Sequence, residues 1–149
     1  ISQHRAFPAE VRGAIQESLQ AKYHAYGDGG CKKCIHVIGP DFRVRDYSQD
    51  EAIDALTTAY QNVLIEFCKS GLPSLRLLPI SGGIFSGRYK PRIAALTAEA
   101  LSRALESLEE DARLHVMKAK VTMCVFDARE VRAFEMAFLE RGLASRSAI

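Results

Sequence analysis

Apolar residues recur along the chain with two periods, one typical of helices and one of short strands. Helical spacing follows Phe7-Pro8, where Val11, Ile15 and Leu19 are four apart. It returns in three later segments, residues 49–69, the stretch that begins at Pro91, and residues 131–142. Between them lie β-rich runs at residues 23–26, 34–38, 75–78 and 121–126. The pattern therefore predicts four helices and four strands.

Capping residues support two of the predicted helices. Ser48 is followed three residues later by Glu51, the spacing of a capping box, and Gly71 stands where a C-terminal cap is expected. Asp127 and Glu130 repeat the spacing before the last helix, which Gly142 is predicted to end.

Alternation of strands with helices of about 15 residues favours right-handed crossovers and a mainly parallel, mixed sheet covered on both faces. The fold class predicted is α/β, in three layers. Repeats, low-complexity tracts and linker-like stretches are absent from the sequence, so we expect residues 1–149 to form a single domain.

Composition narrows the class of protein without giving a function. Of 149 residues, 48% are hydrophobic and 26% charged, which argues against general disorder. The net charge of +2 is too small to indicate a nucleic-acid or membrane partner. Apolar runs fall short of the roughly 18 residues that a spanning helix needs, and the first residues lack the order of a signal peptide. We therefore expect reduced cysteines and a cytoplasmic location, with the nucleus as the alternative.

The loop over residues 79–87, between the third strand and the Pro91 helix, carries the strongest chemical signal. Its glycines allow the main chain to approach a ligand closely, and amides near a helix start can face an anion. Ser81 and Ser86 add hydroxyl donors. The loop predicts a phosphate or pyrophosphate cradle, and a tight turn that needs glycine for shape alone is the alternative. Arg88-Tyr89 stands where a Walker loop requires Lys-Ser/Thr, and no G-x-G-x-x-G motif occurs.

Three segments, in order, resemble the macro domain, an α/β module that binds ADP-ribose. CIHVIGP at residues 34–40 is similar to the family's IHxVGP strand, and LPISGGIF at residues 78–85 to its PAISTGIF diphosphate loop. VTMCVFD at residues 121–127 is similar to the last strand, which leads to the adenosine pocket. The resemblance covers residues 11–142.

The resemblance implies a set of ligand-binding residues. The diphosphate would lie on the amides of Ser81, Gly82, Gly83, Ile84 and Phe85, with the Phe85 ring against the distal ribose and Ser86 and Gly87 completing the loop. Phe126 would lie beside the adenine or its ribose, and Asp127 in the same rim. The alternative for Phe126 is a core aromatic at a strand end.

The chain also departs from the family pattern. Family members begin with two or more strands and an Asn-Ala-Ala-Asn segment, followed by a glycine-rich first loop similar to GGGVDGAI. Here residues 7–15 stand in that place, without the glycines and with Arg12 instead of the aspartate. We therefore transfer no catalytic residue. Arg12 is either a phosphate contact or a solvated charge at a helix start.

Other candidate chemistry is weaker. Cys31 and Cys34 have metal-like spacing, but a second pair is lacking and the segment leads into a strand, so we expect no metal and no cofactor. His36, in an apolar strand, is expected to be a satisfied interior or edge histidine. Arg88, Lys90 and Arg92 flank the glycine-rich loop and would raise its positive potential.

The sequence thus predicts binding of ADP-ribose, a related nucleotide diphosphate or an ADP-ribosylated protein. One alternative is hydrolysis of an ADP-ribosyl ester or phosphate, in which His24 or His36 would position water. Another is a degenerate domain for nucleic-acid or protein contacts. A further expectation is that the chain is one part of a longer protein, since a sheet without its outer strands would expose an edge.

Overall fold

The computed structural model describes residues 6–144, apart from the side chain of Asp28. In chain order its main elements are α1 (Ala9–Ala14), β1 (Ala21–Tyr26), β2 (Lys32–Val37), α2 (Gln49–Ser70), β3 (Ser74–Leu77), α3 (Ile93–Ser107), α4 (Glu110–Lys118), β4 (Lys120–Met123) and α5 (Val131–Glu140). Short 3₁₀ segments cover Asp28–Gly30 and Ile84–Arg92.

The first helix is shorter than its apolar spacing predicts. Val11 and Ile15 are fully buried, as expected, but α1 ends at Ala14 and Leu19 has a φ of 73°. The Leu19 amide donates instead to the Ile38 carbonyl at 2.6 Å. Gly13 weakens the last turn of the helix by about 1 kcal/mol, which favours this pairing over a longer helix.

β1 and β2 form an antiparallel hairpin, with Ala21 opposite Val37 and Tyr26 opposite Lys32. Residues 27–31 connect them, and so short a connection cannot cross over to make a parallel pair. Parallel pairing is found between β3 and β4, where Leu75 lies opposite Val121. The described strands are therefore mixed in direction.

α2 has both of its predicted caps. Ser48 Oγ accepts a hydrogen bond from the Glu51 amide at 3.2 Å, and the Ser48 amide donates to Glu51 Oε1 at 3.1 Å. Gly71 adopts the left-handed conformation that ends such a helix. The buried face of α2 includes Ile53, Leu56, Tyr60, Val63, Leu64 and Phe67.

α3 and α4 connect β3 to β4. The predicted apolar face of α3 is buried at Ile93, Leu96, Ala100 and Leu101. The apolar pattern does not predict α4, because Val116 is its one buried residue.

The predicted capping box before α5 is wrong. Asp127 Oδ1 accepts from the Arg129 amide at 2.9 Å, and Glu130, whose side chain caps nothing, forms an ion pair with Lys90. An Asx-type turn at Asp127 competes with the capping geometry and delays the helix to Val131. Gly142, with a φ of 66°, follows the helix as predicted.

The helices and strands share one core. α2 packs against α3 and against the β1–β2 hairpin, and α3 packs against α5. The α/β fold class is confirmed. Within residues 6–144, no helix combines the length and the apolar character needed to cross a membrane.

Candidate anion-binding site

The glycine-rich loop lies where the parallel strands end. β3 ends at Leu77 and β4 at Met123, paired in register, so the segments that follow them leave the same edge of the sheet. This edge is where open α/β sheets bind ligands. It brings residues 78–92, which include the glycine-rich loop, close to residues 124–130, which include Phe126 and Asp127.

A buried tyrosine fixes the start of the loop. The Ile80 amide donates to the Tyr60 hydroxyl at 2.9 Å, and burial raises the pKa of Tyr60 to about 12. The Gly82 amide then donates to the Pro79 carbonyl at 3.0 Å, closing a turn in which Ser81 has a φ of 58°. A non-glycine residue in this conformation is uncommon and needs support from its surroundings.

The end of β2 supplies that support. Ser81 Oγ donates to the Pro40 carbonyl at 2.6 Å. A Cβ at Gly39 would lie 2.6 Å from both Ile80 Cγ2 and Ser81 Oγ, so only glycine allows this approach. The Gly39-Pro40 segment and the glycine-rich loop are therefore built as one unit.

The second half of the loop is also held from within. The Ser86 amide and hydroxyl both donate to the Gly83 carbonyl, at 3.1 and 2.6 Å, and Ser86 is 3% exposed. Gly87 has a φ of 51°, and a Cβ there would lie 3.1 Å from the Phe42 carbonyl oxygen. The Phe42 amide donates to the Phe85 carbonyl at 2.9 Å.

The serine hydroxyls of the loop are not the ligand donors that the sequence predicts. Both Ser81 and Ser86 donate their hydroxyl protons to main-chain carbonyls, so in this structure they shape the loop. A tight turn brings main-chain carbonyls close to both hydroxyls, so neither serine is the free donor that the sequence predicts.

The exposed part of the loop begins at Gly83. Ile84 is 76% exposed and opens the 3₁₀ segment, where the first amides have no acceptor within the helix. Phe85 is half-buried, with the Arg43 guanidinium 5.2 Å from its ring centroid. Amides that face outward from a held loop are donors for an anion.

Lys90 connects this loop with the segment after β4. Its ammonium donates to the Gly82 carbonyl at 2.8 Å and lies 2.9 Å from Glu130 Oε1. Hydrogen bonds from Arg129 lower the pKa of Asp127 to about 2, and the charge of Lys90 contributes in the same direction. Asp127 is therefore a carboxylate over the physiological pH range.

Phe126 is fully exposed, with a relative accessibility of 102%. The interpretation of Phe126 as a core aromatic is therefore wrong. Its neighbour Val125 packs against the core instead, because alternate residues of an extended segment point to opposite sides.

Arg12 lies on α1, which packs against β1. Its Nε is buried and has no hydrogen-bond partner among residues 6–144. The solvated-charge interpretation does not account for this buried nitrogen.

The arginines near the site are largely paired with carboxylates. Arg43 pairs with Asp41 at 2.7 Å, and Arg45 with Glu51 at 2.8 Å. Arg88 lies 3.2 Å from the Asp46 carboxylate and also donates to the Tyr47 carbonyl. The positive potential expected from Arg88 is therefore reduced, and Lys90 donates directly to the Gly82 carbonyl of the loop.

The histidines and cysteines offer little separate chemistry. His24 Nδ1 lies 2.9 Å from Glu10 Oε2, and His36 Nε2 lies 2.6 Å from the Tyr26 hydroxyl. Burial raises the pKa of the Cys34 thiol, the opposite of what a reactive thiolate needs. In the described part of the chain, no group of three His, Cys, Asp or Glu residues is arranged to hold a metal ion.

A comparison with known protein families identifies the family of this chain. The family model described as Macro domain matches residues 4–98, well over half of the chain. The chain belongs to the macro domain family. The match includes α1, the hairpin, α2 and the glycine-rich loop.

Solved structures show the same fold. The macrodomain of Oceanobacillus iheyensis, solved with ADP, has a TM-score of 0.62 and 17% identity over 88% of this chain and 63% of its own. The same macrodomain with MES bound has a TM-score of 0.63 at 16% identity, with the same coverage. A structure titled Alphavirus P23pro-zbd gives 0.61 and 22%, covering 87% of this chain and 17% of that one.

The chain thus spans less than two thirds of the length of each of these proteins. It matches none of the curated proteins with which it was compared.

Proposed function

We propose that this macro domain binds ADP-ribose, free or attached to a protein, at the carboxyl edge of β3 and β4. The observation that carries the proposal is the exposed turn from Gly83 to Phe85 at the start of a 3₁₀ segment. The turn is held by the Tyr60, Pro40 and Phe42 contacts behind it. A loop fixed in this way loses little conformational freedom when an anion binds.

The diphosphate is the part of the ligand that this loop suits. Main-chain amides at a helix start are suited to binding phosphate oxygens. The bacterial macrodomain, which shares the fold, was solved with ADP, a nucleoside diphosphate. In our proposal the amides of Gly83, Ile84 and Phe85 hold the diphosphate. Ser81, Gly82, Ser86 and Gly87 maintain the shape of the loop, because the Gly82 amide already donates to the Pro79 carbonyl.

We assign the two ends of the ligand to the aromatic rings of Phe126 and Phe85. Phe126, fully exposed after β4, offers a face on which adenine can stack. Asp127, ionised and next in sequence, is available to ribose hydroxyls at the rim. The half-buried ring of Phe85 packs against the distal ribose.

Arg12 is proposed as a second phosphate contact. Its buried Nε lacks an acceptor among residues 6–144, and a phosphate oxygen would supply one.

We assign binding without a catalytic residue. The two histidines considered for hydrolysis are engaged with Glu10 and with Tyr26.

Calorimetric titration with ADP-ribose tests the proposal through one pair of variants. Ile84→Glu adds a carboxylate beside the loop amides at a position that is 76% exposed. We expect its affinity to fall by about tenfold, or about 1.4 kcal/mol, because the added carboxylate would repel the negatively charged diphosphate beside it.

Met117→Glu is the matched control, since Met117 is 73% exposed on α4, before β4 begins. Unchanged affinity in Ile84→Glu, or equal losses in the two variants, would overturn the proposed position of the diphosphate.

A further inference from the structure

The segment that follows β2 is bonded to the glycine-rich loop. The Phe42 amide donates to the Phe85 carbonyl at 2.9 Å, and the Arg43 guanidinium lies 5.2 Å from the centroid of the Phe85 ring. A Cβ at Gly87 would lie only 3.1 Å from the Phe42 carbonyl oxygen. We call residues 41–47 the Phe42 turn, which borders the loop at Phe85 and Gly87.

Aromatic rings support the Phe42 turn from the core side. Phe42 is 4% exposed, and its ring meets those of Tyr47 and Tyr89 edge to face, with centroids 5.1 and 5.2 Å apart. The Tyr89 hydroxyl donates to the Tyr47 carbonyl at 2.6 Å. Edge-to-face contacts add to the stabilisation that the rings gain from burial, so the base of the turn is fixed.

Polar contacts fix the exposed side of the turn. Arg43 donates from Nε and Nη2 to the Asp41 carboxylate, at 2.8 and 2.7 Å. The Arg45 guanidinium lies 3.6 Å from the Tyr47 ring centroid and donates to Glu51 at 2.8 Å. Exposed ion pairs contribute little to the free energy of unfolding, so their main effect here is to hold the shape of the turn. A surface held in this way loses little conformational freedom when a partner binds.

Val44 is an apolar side chain that this surface presents to solvent. Its amide donates to the Asp41 carbonyl at 3.3 Å, and the residue is 71% exposed. Ile84, directly before Phe85 in the loop, is 76% exposed. Two exposed apolar residues therefore flank the hydrogen bond between Phe42 and Phe85. Covering them with another molecule would remove apolar surface from water, which is favourable.

The charges of the turn favour a polypeptide over a nucleic acid. Three arginines at or beside the turn are each paired with a carboxylate: Arg43 with Asp41, Arg45 with Glu51, and Arg88 with Asp46. Tight binding of a nucleic acid depends on cations that displace counterions from its phosphates. Paired arginines offer little such charge, whereas an exposed apolar side chain on a fixed turn suits a polypeptide.

We propose that the Phe42 turn contacts the polypeptide part of an ADP-ribosylated protein, and that an apolar side chain next to the modified residue packs on Val44. The inference rests on the proposed function, in which the Phe85 ring packs against the distal ribose. Proteins are attached to ADP-ribose through this ribose, so the polypeptide emerges beside Phe85, to which the Phe42 turn is bonded. The partner is thus a protein modified at a residue with an apolar neighbour.

Calorimetric titration of the 149-residue chain with three ligands tests the inference separately from the proposed function. The first ligand is free ADP-ribose. The second, the apolar conjugate, is ADP-ribose joined through its distal ribose to the serine of acetyl-Ala-Val-Ser-Val-Ala-amide. The third, the polar conjugate, has asparagine in place of both valines. We expect the apolar conjugate to bind about fivefold more tightly than the polar one, whose affinity should equal that of free ADP-ribose.

Variants at Val44 locate the preference for the apolar conjugate. Val44→Asn should bring the two conjugates to equal affinity while free ADP-ribose binds as it does to the wild-type protein. Val44→Ile should keep the fivefold preference, because it keeps an apolar side chain. Met117→Asn, at a residue that is 73% exposed on α4, is the matched control and should keep the preference too. In NMR spectra, the Val44 methyl signals should shift with the apolar conjugate and stay in place with free ADP-ribose.

The remaining outcomes overturn the inference. Equal affinities of the two conjugates for the wild-type chain, with free ADP-ribose bound, would remove the Phe42 turn from the interface and leave the proposed function standing. A preference that survives in Val44→Asn would place the apolar contact elsewhere. Binding of a single-stranded oligouridine that Val44→Asn weakens would identify a nucleic acid as the occupant. Failure of free ADP-ribose and of both conjugates to bind would overturn the proposed function together with the inference.

Discussion

Lys90 Nζ lies 2.9 Å from Glu130 Oε1, and the pair connects the glycine-rich loop to the segment that follows β4. The same ammonium donates to the Gly82 carbonyl at 2.8 Å. One lysine therefore holds together the two segments that we assign to the diphosphate and to the adenosine.

Charge changes at this pair are expected to act in opposite directions on ADP-ribose affinity. Lys90→Met removes a positive charge near the diphosphate and should weaken binding about threefold, in line with the small effect of half-exposed charges. Glu130→Gln removes a competing carboxylate and should strengthen binding by a similar factor. Calorimetry at two salt concentrations measures both, and the two differences should shrink at the higher one. Changes of the same sign in the two variants would contradict an electrostatic role.

Tyr60→Phe should destabilise the protein and loosen the loop. The change leaves the buried Ile80 amide without its acceptor, which costs about 1–3 kcal/mol in the free energy of unfolding. Denaturant titration measures the loss, and ADP-ribose affinity should fall with it. Tyr23→Phe is the control, since that hydroxyl has no hydrogen-bond partner among residues 6–144. Equal stability of the two variants would argue against the anchoring role of Tyr60.

Phe126→Ala should separate affinity from stability. The side chain is fully exposed, so the unfolding free energy should change by less than about 0.5 kcal/mol. Loss of an adenine-stacking face should weaken ADP-ribose binding about five- to tenfold. Phe126→Trp keeps an aromatic face and should retain affinity. Wild-type affinity in the alanine variant would remove Phe126 from the site.

Asp127 should stay ionised in acid. Hydrogen bonds from Arg129 lower its pKa from 3.8 to about 2. Because the folded value is depressed, the contribution to stability is complete above about pH 4 and is lost as the pH falls towards 2. Carboxyl titration by NMR should give a midpoint near 2, returning towards 3.8 in Arg129→Gln. The same midpoint in both proteins would show that Arg129 is not the cause.

The sequence predicts the elements whose signals are local. Ser48, Glu51 and Gly71 define α2 through contacts within a few residues, and both of its ends are confirmed. The antiparallel hairpin and the early end of α1 depend on Leu19 meeting Ile38, a contact between distant residues. Periodicity carries no information about such pairing.

The candidate site shows the same difference between local signals and contacts of distant residues. Motif order in the sequence predicts the glycine-rich loop and its neighbours, and the family assignment is confirmed. Local sequence patterns do not predict the contacts of Tyr60 with Ile80 and of Ser81 with Pro40, because each joins residues 20 or more positions apart. Gly39 carried a usable signal, since a glycine directly before proline at a strand end marks a close backbone approach.

The most direct test of ADP-ribose binding at this edge is an NMR amide-shift map of the folded chain with the ligand in excess. We predict that the largest shifts occur at Gly83, Ile84 and Phe85 and at Phe126, the two segments that Lys90 and Glu130 hold together. A well-dispersed spectrum that ADP-ribose leaves unchanged at these residues would contradict the proposed site.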